Sequence, residues 1–156
     1  MKKIVILFIL IFTANFTFSQ ENKIPKEKLE TLKRFYNWND EKLLIVNFYL
    51  PKNSCHYNQY NDLKSGKKWI ENNIYKNIEL NNIKNIFIYS ESQEAKSIID
   101  NISCFFDYEN YFLNTFFNVK NHCYGIVVIN ENGNFFHKLG EFSKYDVKRL
   151  INKVNK

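Results

Sequence analysis

The stretch at residues 43–50 limits the folds available to this chain more than any other. It reads LLIVNFYL, and Asn47 is its one polar residue. A strand with one solvated face alternates apolar and polar side chains, whereas a continuous apolar run is typical of a strand covered on both faces. Such strands occur in parallel or mixed sheets that have helices on both sides. The sequence therefore predicts an α/β protein with residues 43–50 as a buried strand.

Directly after this predicted strand, the chain turns and reaches a cysteine. Pro51 opens a four-residue polar loop, and Cys55 follows it. A weak helical pattern then runs over residues 55–74, where Trp69, Ile70 and Ile74 form the apolar face. Gly66 interrupts this pattern, so we expect a kink there. The stretch therefore predicts a strand, a loop and a helix, with Cys55 at the start of the helix.

The rest of the chain alternates between short apolar runs and helical patterns. Helices are predicted at residues 24–39, 95–102, 108–117 in part, and after Ser143. The capping-box pair Ser90 and Gln93 precedes the second of these helices. Strands are predicted at residues 85–89, 104–106, 125–130 and 134–139. The Asn132-Gly133 pair predicts a tight hairpin with two residues at positive φ. This order describes a mixed sheet with helices on both faces and a C-terminal β-hairpin plus helix.

The first 19 residues have the pattern of a secretory signal peptide. Lys2 and Lys3 precede an apolar run at residues 4–12, and small residues lead to a predicted cut after Ser19. The apolar run is too short for a stable membrane anchor, because a spanning helix needs about 20 apolar residues. We expect a periplasmic or secreted protein. Residues 20–41 are predicted as an N-terminal extension, whose short helix packs on the edge of the main domain at residues 42–156.

Charge gives little support to a nucleic-acid partner. The net charge is +6, the lysines are scattered, and Arg34 and Arg149 are the two arginines of the sequence. A nucleic-acid surface needs a dense basic face, so this class of partner is not expected. The expected partner is an unknown exported protein, and no cofactor is indicated.

The cysteine content allows one disulfide and leaves one thiol over. The sequence has three cysteines, Cys55, Cys104 and Cys123, at spacings that fit no structural zinc pattern. In an oxidising compartment two of them can pair. The sequence itself leaves open which two.

Two segments resemble the thioredoxin-like superfamily, in particular exported thiol–disulfide oxidoreductases of Gram-negative bacteria. IVNFYLPKNSCHYN is similar to that family's strand, active-site loop and helix start, and CYGIVVINENGNFFHKLG is similar to its antiparallel hairpin. The resemblance covers residues 42–153. It implies a thioredoxin-like three-layer α/β sandwich, in which a mixed sheet has helices on both faces and the chain ends with a hairpin and a helix.

The resemblance also implies a degenerate active site. The family uses Cys-x-x-Cys at a helix N-terminus, where the positive end of the helix ionises the first thiol. Cys55 matches that nucleophile, His56 is placed to help hold its thiolate, and Asn58 stands where the resolving cysteine would be. The family's cis-proline position falls at Tyr124.

Several interpretations stay open. Cys55 acts as a monothiol that forms mixed disulfides with a partner, or Cys55 and Cys123 form a noncontiguous redox pair, because the resemblance places Cys123 across from Cys55. Alternatively, the site is inactive and the domain is a non-catalytic binding module.

Two less favoured interpretations involve other chemistry. A peroxiredoxin-like peroxidase would need a wider spacing than Pro51-Ser54-Cys55 and an arginine beside the thiol. A soft-metal site for Zn or Cu(I) would need Cys55, Cys123 and their neighbours His56 and His122 to converge.

Overall fold

The computed structural model describes residues 22–50, 63–90, 92–117 and 122–156. The helices are α1 (Lys26–Phe35), α2 (Leu63–Ile70), α3 (Ser92–Ala95) and α4 (Lys144–Val154), and the strands are β1 (Leu43–Tyr49), β2 (Ile83–Tyr89), β3 (Cys104–Phe106), β4 (Tyr124–Asn130) and β5 (Phe135–Leu139). π-Helical turns occupy Glu71–Tyr75 and Leu113–Phe117, and a 3₁₀ turn occupies Tyr108–Asn110.

The strands form one five-stranded mixed sheet in the order β3-β2-β1-β4-β5. β1 pairs in parallel with β2, and β2 pairs in parallel with β3. β4 runs antiparallel to both β1 and β5. The predicted α/β class and mixed sheet are therefore confirmed, and the apolar run at residues 43–50 supplies the central strand.

Each face of the sheet is covered by helices. One face, which we call the α1 face, packs β1 residues Leu44, Val46 and Phe48 in one cluster with α1 and with the aromatic residues of the turn Leu113–Phe117. The opposite face, the α4 face, packs Leu43 and Ile45 against the turn Glu71–Tyr75 and α4. Alternate side chains of one strand thus enter two cores, and this explains the unbroken apolar sequence of β1.

The N-terminal helix is more deeply packed than the sequence predicted. We expected it at the edge of the domain, but Leu32 and Tyr36 are fully buried in the cluster of the α1 face. The Tyr36 hydroxyl donates to the carbonyl of Phe106 on β3 (3.3 Å) and accepts from the N–H of Tyr108 (3.0 Å). Residues 24–38 are therefore part of the core packing of the sheet.

The helix predicted at residues 95–102 ends at Ala95 instead. The Asp100 carboxylate accepts backbone N–H groups of Ile102, Ser103 and Cys104, each at 2.8 Å. Aspartate competes with a helix in this way, because its side chain bonds nearby backbone groups in a turn. Ile102, which fitted the helical stripe, is 74% exposed as a result.

The Asp100 turn also occupies the outer edge of β3. The Cys104 N–H donates to the Asp100 carboxylate, and the Cys104 carbonyl accepts from the N–H groups of Asp100 and Asn101. The Phe106 carbonyl on the same edge accepts from the Tyr36 hydroxyl. Local groups therefore satisfy both backbone groups of Cys104 and the carbonyl of Phe106 on this edge.

The predicted capping at Ser90 is also wrong. The Ser90 hydroxyl is buried without a hydrogen-bond partner, whereas a capping residue would accept a backbone N–H of the following helix. By contrast, the helix start at Ser143 is confirmed. The side chains of Ser143 and Asp146 each accept from the other's backbone N–H, which is a complete capping box for α4.

The expected kink near Gly66 is not present. α2 continues through Gly66, and its regular pattern changes at Glu71–Tyr75, where it widens into a π-helical turn. Tyr75, the last residue of this turn, donates its hydroxyl to the side chain of Asn47 in β1 at 2.6 Å.

The C-terminal hairpin is confirmed, although its turn differs from the one predicted. Gly133 alone takes a positive φ of 88° in this turn, and its N–H donates to the Asn130 carbonyl at 2.9 Å. The Asn130 side chain accepts from the N–H groups of Asn132 and Asn134. The loop thus has three residues with glycine in the left-handed position, which is the second common hairpin geometry.

Within the part of the chain that the structure describes, no helix is long and apolar enough to cross a membrane.

Candidate functional site

Cys123 lies immediately before β4, beside the end of β1. The Leu50 N–H donates to the Cys123 carbonyl at 2.6 Å, and Tyr49 pairs with Tyr124 in the sheet register. The Cys123 side chain packs against the cluster of the α1 face. Its sulfur is in a disulfide bond, so Cys123 is not a free thiol in this structure.

Cys104 is a free thiol in a different environment. It lies on β3, on the α4 side of the sheet, and it is buried among Phe87, Tyr89 and Ala95. Burial raises the pKa of the Cys104 thiol. A thiolate is the reactive form of cysteine, so a buried thiol with a raised pKa is a poor nucleophile.

The other predicted active-site residues lie outside the described residues. These are the candidate nucleophile Cys55, its neighbour His56 and the lost resolving position Asn58. Tyr124, the predicted position of the family's cis-proline, is the first residue of β4, and its carbonyl accepts the Gly140 N–H at 2.8 Å. The described residues contain no cis peptide bond.

His122 stands next to Cys123, but the described side chains around it do not form a metal centre. Its Nδ1 is buried without a hydrogen-bond partner, and the ring lies close to Gly140. No group of three or more metal-ligating side chains occurs among the described residues. The soft-metal hypothesis also needs Cys55 and His56, which are outside them, so it stays a prediction.

A cavity of about 490 Å³ opens on the α4 face, beside the end of β1. β1, β2 and β4 form its floor, and α2 with residues 141 and 142 forms its walls. The aromatic residues of the lining are Phe48, Tyr49, Trp69, Phe87, Tyr89, Tyr124 and Phe142. The Tyr49 ring lies between Tyr89 and Tyr124, with ring centroids at 6.1 and 6.5 Å. This volume and this apolar, aromatic lining are typical of small-molecule sites.

A buried polar cluster supports the floor of the cavity. Asn47 donates to the Asn85 side chain at 2.8 Å and to the Ile86 carbonyl at 2.9 Å, and it accepts from the Tyr75 hydroxyl. These bonds satisfy Asn47, which explains how a polar residue is tolerated in the central strand. They also fix the turn Glu71–Tyr75 against β1.

Asp107 is a buried carboxyl on the α1 side, directly after β3. Its two oxygens accept the N–H groups of Phe112 at 2.9 Å and Leu113 at 2.8 Å. Burial raises the pKa of Asp107 to about 6, although these N–H donors lower it. Asp107 therefore holds the start of the segment that carries Phe116 and Phe117 into the core.

Sequence reasoning did not find the cavity or Asp107. Asn47 was visible as a polar interruption of an apolar strand, and an acidic residue directly after a predicted strand was the signal for Asp107. The tyrosines of the cavity gave no comparable signal, because they are far apart in the sequence and meet only through the strand register.

No protein-family model, no curated protein and no solved structure matches this chain.

Proposed function

We propose that the chain is an exported thioredoxin-like protein whose redox-active disulfide joins Cys55 to Cys123. The observation that carries this proposal is that Cys123 is disulfide-bonded whereas Cys104 is free. Cys55 is the third cysteine of the sequence. It lies outside the described residues, so the pairing is part of the proposal.

The sheet supports this assignment. A parallel β1–β2 pair linked through α2, followed by the antiparallel β4–β5 hairpin and α4, is the arrangement that the superfamily resemblance implies. Leu50, at the end of β1, is hydrogen-bonded to Cys123. Cys55 follows Leu50 by five positions in the sequence. Five residues of extended chain reach at most about 16–18 Å, which sets how far Cys55 can lie from Leu50.

The chemistry of such a pair is a two-electron exchange. The Cys55 thiolate of the reduced protein attacks one sulfur of a partner's disulfide and releases the other partner sulfur, which takes a proton from solvent. Cys123 then gives up its proton and attacks the mixed disulfide at the Cys55 sulfur. The second partner thiolate leaves and is protonated, and the Cys55–Cys123 disulfide is formed.

The reduction potential of the mature protein tests this proposal. The protein is equilibrated in glutathione buffers, its free thiols are alkylated, and the modified cysteines are mapped by mass spectrometry. We expect Cys55 and Cys123 to become reactive together, at a potential between about −270 and −120 mV, the range of known exchange proteins. Cys104→Ser is the control and should leave this potential unchanged. A bond between any other pair of sulfurs would contradict the proposal.

A second candidate is a non-catalytic binding module with a structural disulfide. The cavity on the α4 face favours it, because a ligand site there needs no thiol chemistry. The same titration separates the two candidates, since a structural disulfide has a potential below about −300 mV. Cys55→Ser gives a further test, because it should abolish mixed-disulfide formation in the redox case.

Export rests on the predicted signal peptide at residues 1–19, which lies outside the described residues. Expression of the full chain in a Gram-negative host, followed by fractionation and N-terminal sequencing, tests it. We expect a periplasmic or secreted protein that begins at Gln20. An uncleaved cytoplasmic product would contradict export and the oxidised state that it implies.

A further inference from the structure

We propose that the cavity on the α4 face binds an uncharged small molecule that carries an aromatic ring. This inference is independent of the proposed thiol chemistry. Cys123 packs on the α1 face of the sheet, whereas most of the cavity lining, including Tyr49 and Tyr89, lies on the opposite face under α2. Either can therefore be correct without the other.

The shape of the cavity fits a flat ring. Tyr49, Tyr89 and Tyr124 stand side by side on β1, β2 and β4, and Trp69 and Phe142 also line the space. Aromatic rings attract one another in offset-stacked or edge-to-face contacts, which add to the gain from buried area. A volume of about 490 Å³ accommodates a small molecule and is too small for a folded partner.

The charges of the cavity favour an uncharged ligand. Lys67 and Glu141 are the charged residues of the described lining. The Lys67 ammonium is already paired with Glu71 at 2.7 Å, and it lies over the Phe87 ring at 5.4 Å. A ligand anion would therefore have to compete with Glu71 for Lys67, and it would also meet the carboxylate of Glu141. Burying a charge without a partner is costly, so an uncharged ring should bind more tightly than its carboxylate analogue.

The two tryptophans of the sequence allow the site to be observed directly. Trp69 lines the cavity and is 49% exposed, whereas Trp38 is buried elsewhere, with its indole N–H donating to the Glu41 carbonyl at 2.6 Å. Each indole N–H gives one signal in a ¹H–¹⁵N NMR spectrum, and Trp69→Phe assigns them. Titration with 2-naphthol should shift the Trp69 signal and leave the Trp38 signal in place. An unshifted Trp69 signal at saturating 2-naphthol would overturn the proposal.

The choice of ligand class is tested with two further probes. We expect 2-naphthoate, which has the same rings and a carboxylate, to bind at least tenfold more weakly than 2-naphthol. Equal affinity would overturn the charge argument. N-acetyltryptophanamide represents an aromatic side chain of a partner protein, and tighter binding of this probe than of 2-naphthol would overturn the assignment to a small molecule.

Filling the cavity gives an independent test with a matched control. Gly66 lies on α2 and lines the cavity, so Gly66→Leu should place a side chain there and lower the affinity for 2-naphthol at least tenfold. Leucine is also a better helix former than glycine. Lys68→Leu adds the same side chain at an exposed position of α2 outside the lining, and it should bind as the native protein does.

A second variant covers the case in which Gly66→Leu does not fold. Trp69→Ala removes a half-exposed lining ring and should lower the affinity for 2-naphthol at least threefold, as measured by equilibrium dialysis. Native affinity in Trp69→Ala, or in folded Gly66→Leu, would mean that the probe binds elsewhere, and this would overturn the proposal.

Discussion

The Asp107→Asn substitution should change how the free energy of unfolding depends on pH. Burial raises the pKa of Asp107 from 3.8 to about 6 in the folded protein, although three backbone N–H groups lower it. A carboxyl whose pKa is higher in the folded state binds its proton more tightly there. Its contribution to stability is therefore fully present below about pH 4 and is lost as the pH rises through about 6. A shift of about two pKa units corresponds to about 3 kcal/mol.

Asparagine removes this titration and one hydrogen bond. Its single side-chain oxygen can replace only one of the two oxygens that accept from Phe112 and Leu113. Leaving one buried N–H without its acceptor costs about 1 to 2 kcal/mol. Asp107→Asn should therefore be less stable than the native protein by about that amount at pH 4. At pH 7.5 it should be more stable by about 1 to 2 kcal/mol, because the ionised carboxylate is no longer buried.

Urea unfolding between pH 4 and pH 8 measures the free energy of unfolding of the native protein and of Asp107→Asn. The contributions of all other titrating groups cancel in the difference between these two free energies. Asp100→Asn is the control. Burial tends to raise the pKa of Asp100, but its backbone N–H donors and Ser103 outweigh burial and lower it to about 2. The contribution of Asp100 is therefore constant above about pH 4. If the difference between native protein and Asp107→Asn is the same at pH 4 and pH 8, the reasoning about Asp107 is wrong.

Three further predictions concern the polar cluster, the proposed disulfide and the position predicted for a resolving cysteine. Tyr75→Phe leaves the buried side-chain oxygen of Asn47 without its donor and should lower the free energy of unfolding, measured in urea, by about 1 to 3 kcal/mol. The control Tyr145→Phe, at a 73% exposed position, should change this free energy little. Reduction of the proposed Cys55–Cys123 bond opens a loop of roughly 70 residues and should cost about 4 kcal/mol, whereas a cost near zero would contradict a bond that closes so long a loop. Asn58→Cys introduces Cys-x-x-Cys at the predicted active site and should create or raise activity in an insulin-reduction assay. A folded variant without any gain would count against the alignment of Cys55 with the family's nucleophile.

The sheet could be predicted from the sequence because its signals are local. β1, β2 and β4 are compact apolar runs, and the Asn-Gly pair between β4 and the strand that follows marks a hairpin. The final helix combines Ser143 and Asp146 with an apolar stripe. Each of these patterns agrees with the burial that the fold imposes, so local preference and tertiary packing point to the same structure.

The helix at residues 95–102 could not be excluded in the same way. Ile98, Ile99 and Ile102 are spaced as in a helix, and only the side chain of Asp100 favours a turn. Periodicity does not include this competition between a side chain and the helix backbone.

The candidate sites are harder to predict than the fold, because they depend on long-range register. Tyr49, Tyr89 and Tyr124 become neighbours only when β1 pairs with both β2 and β4. The polar cluster under the cavity likewise joins Tyr75 to Asn47, a residue 28 positions earlier. No pattern within a short stretch of sequence predicts either contact.

The Asp100 turn has a consequence for how molecules of this protein can associate. A sheet that grows from one molecule to the next, as in a fibril, needs free backbone groups along both of its outer strands. At β3 the backbone groups of Cys104 and the carbonyl of Phe106 are already bonded within the chain, by Asp100, Asn101 and Tyr36. An incoming strand would have to break these bonds before it could pair there. Growth of the sheet through this border therefore costs these bonds, which favours a pair of molecules joined through the opposite border over a fibril.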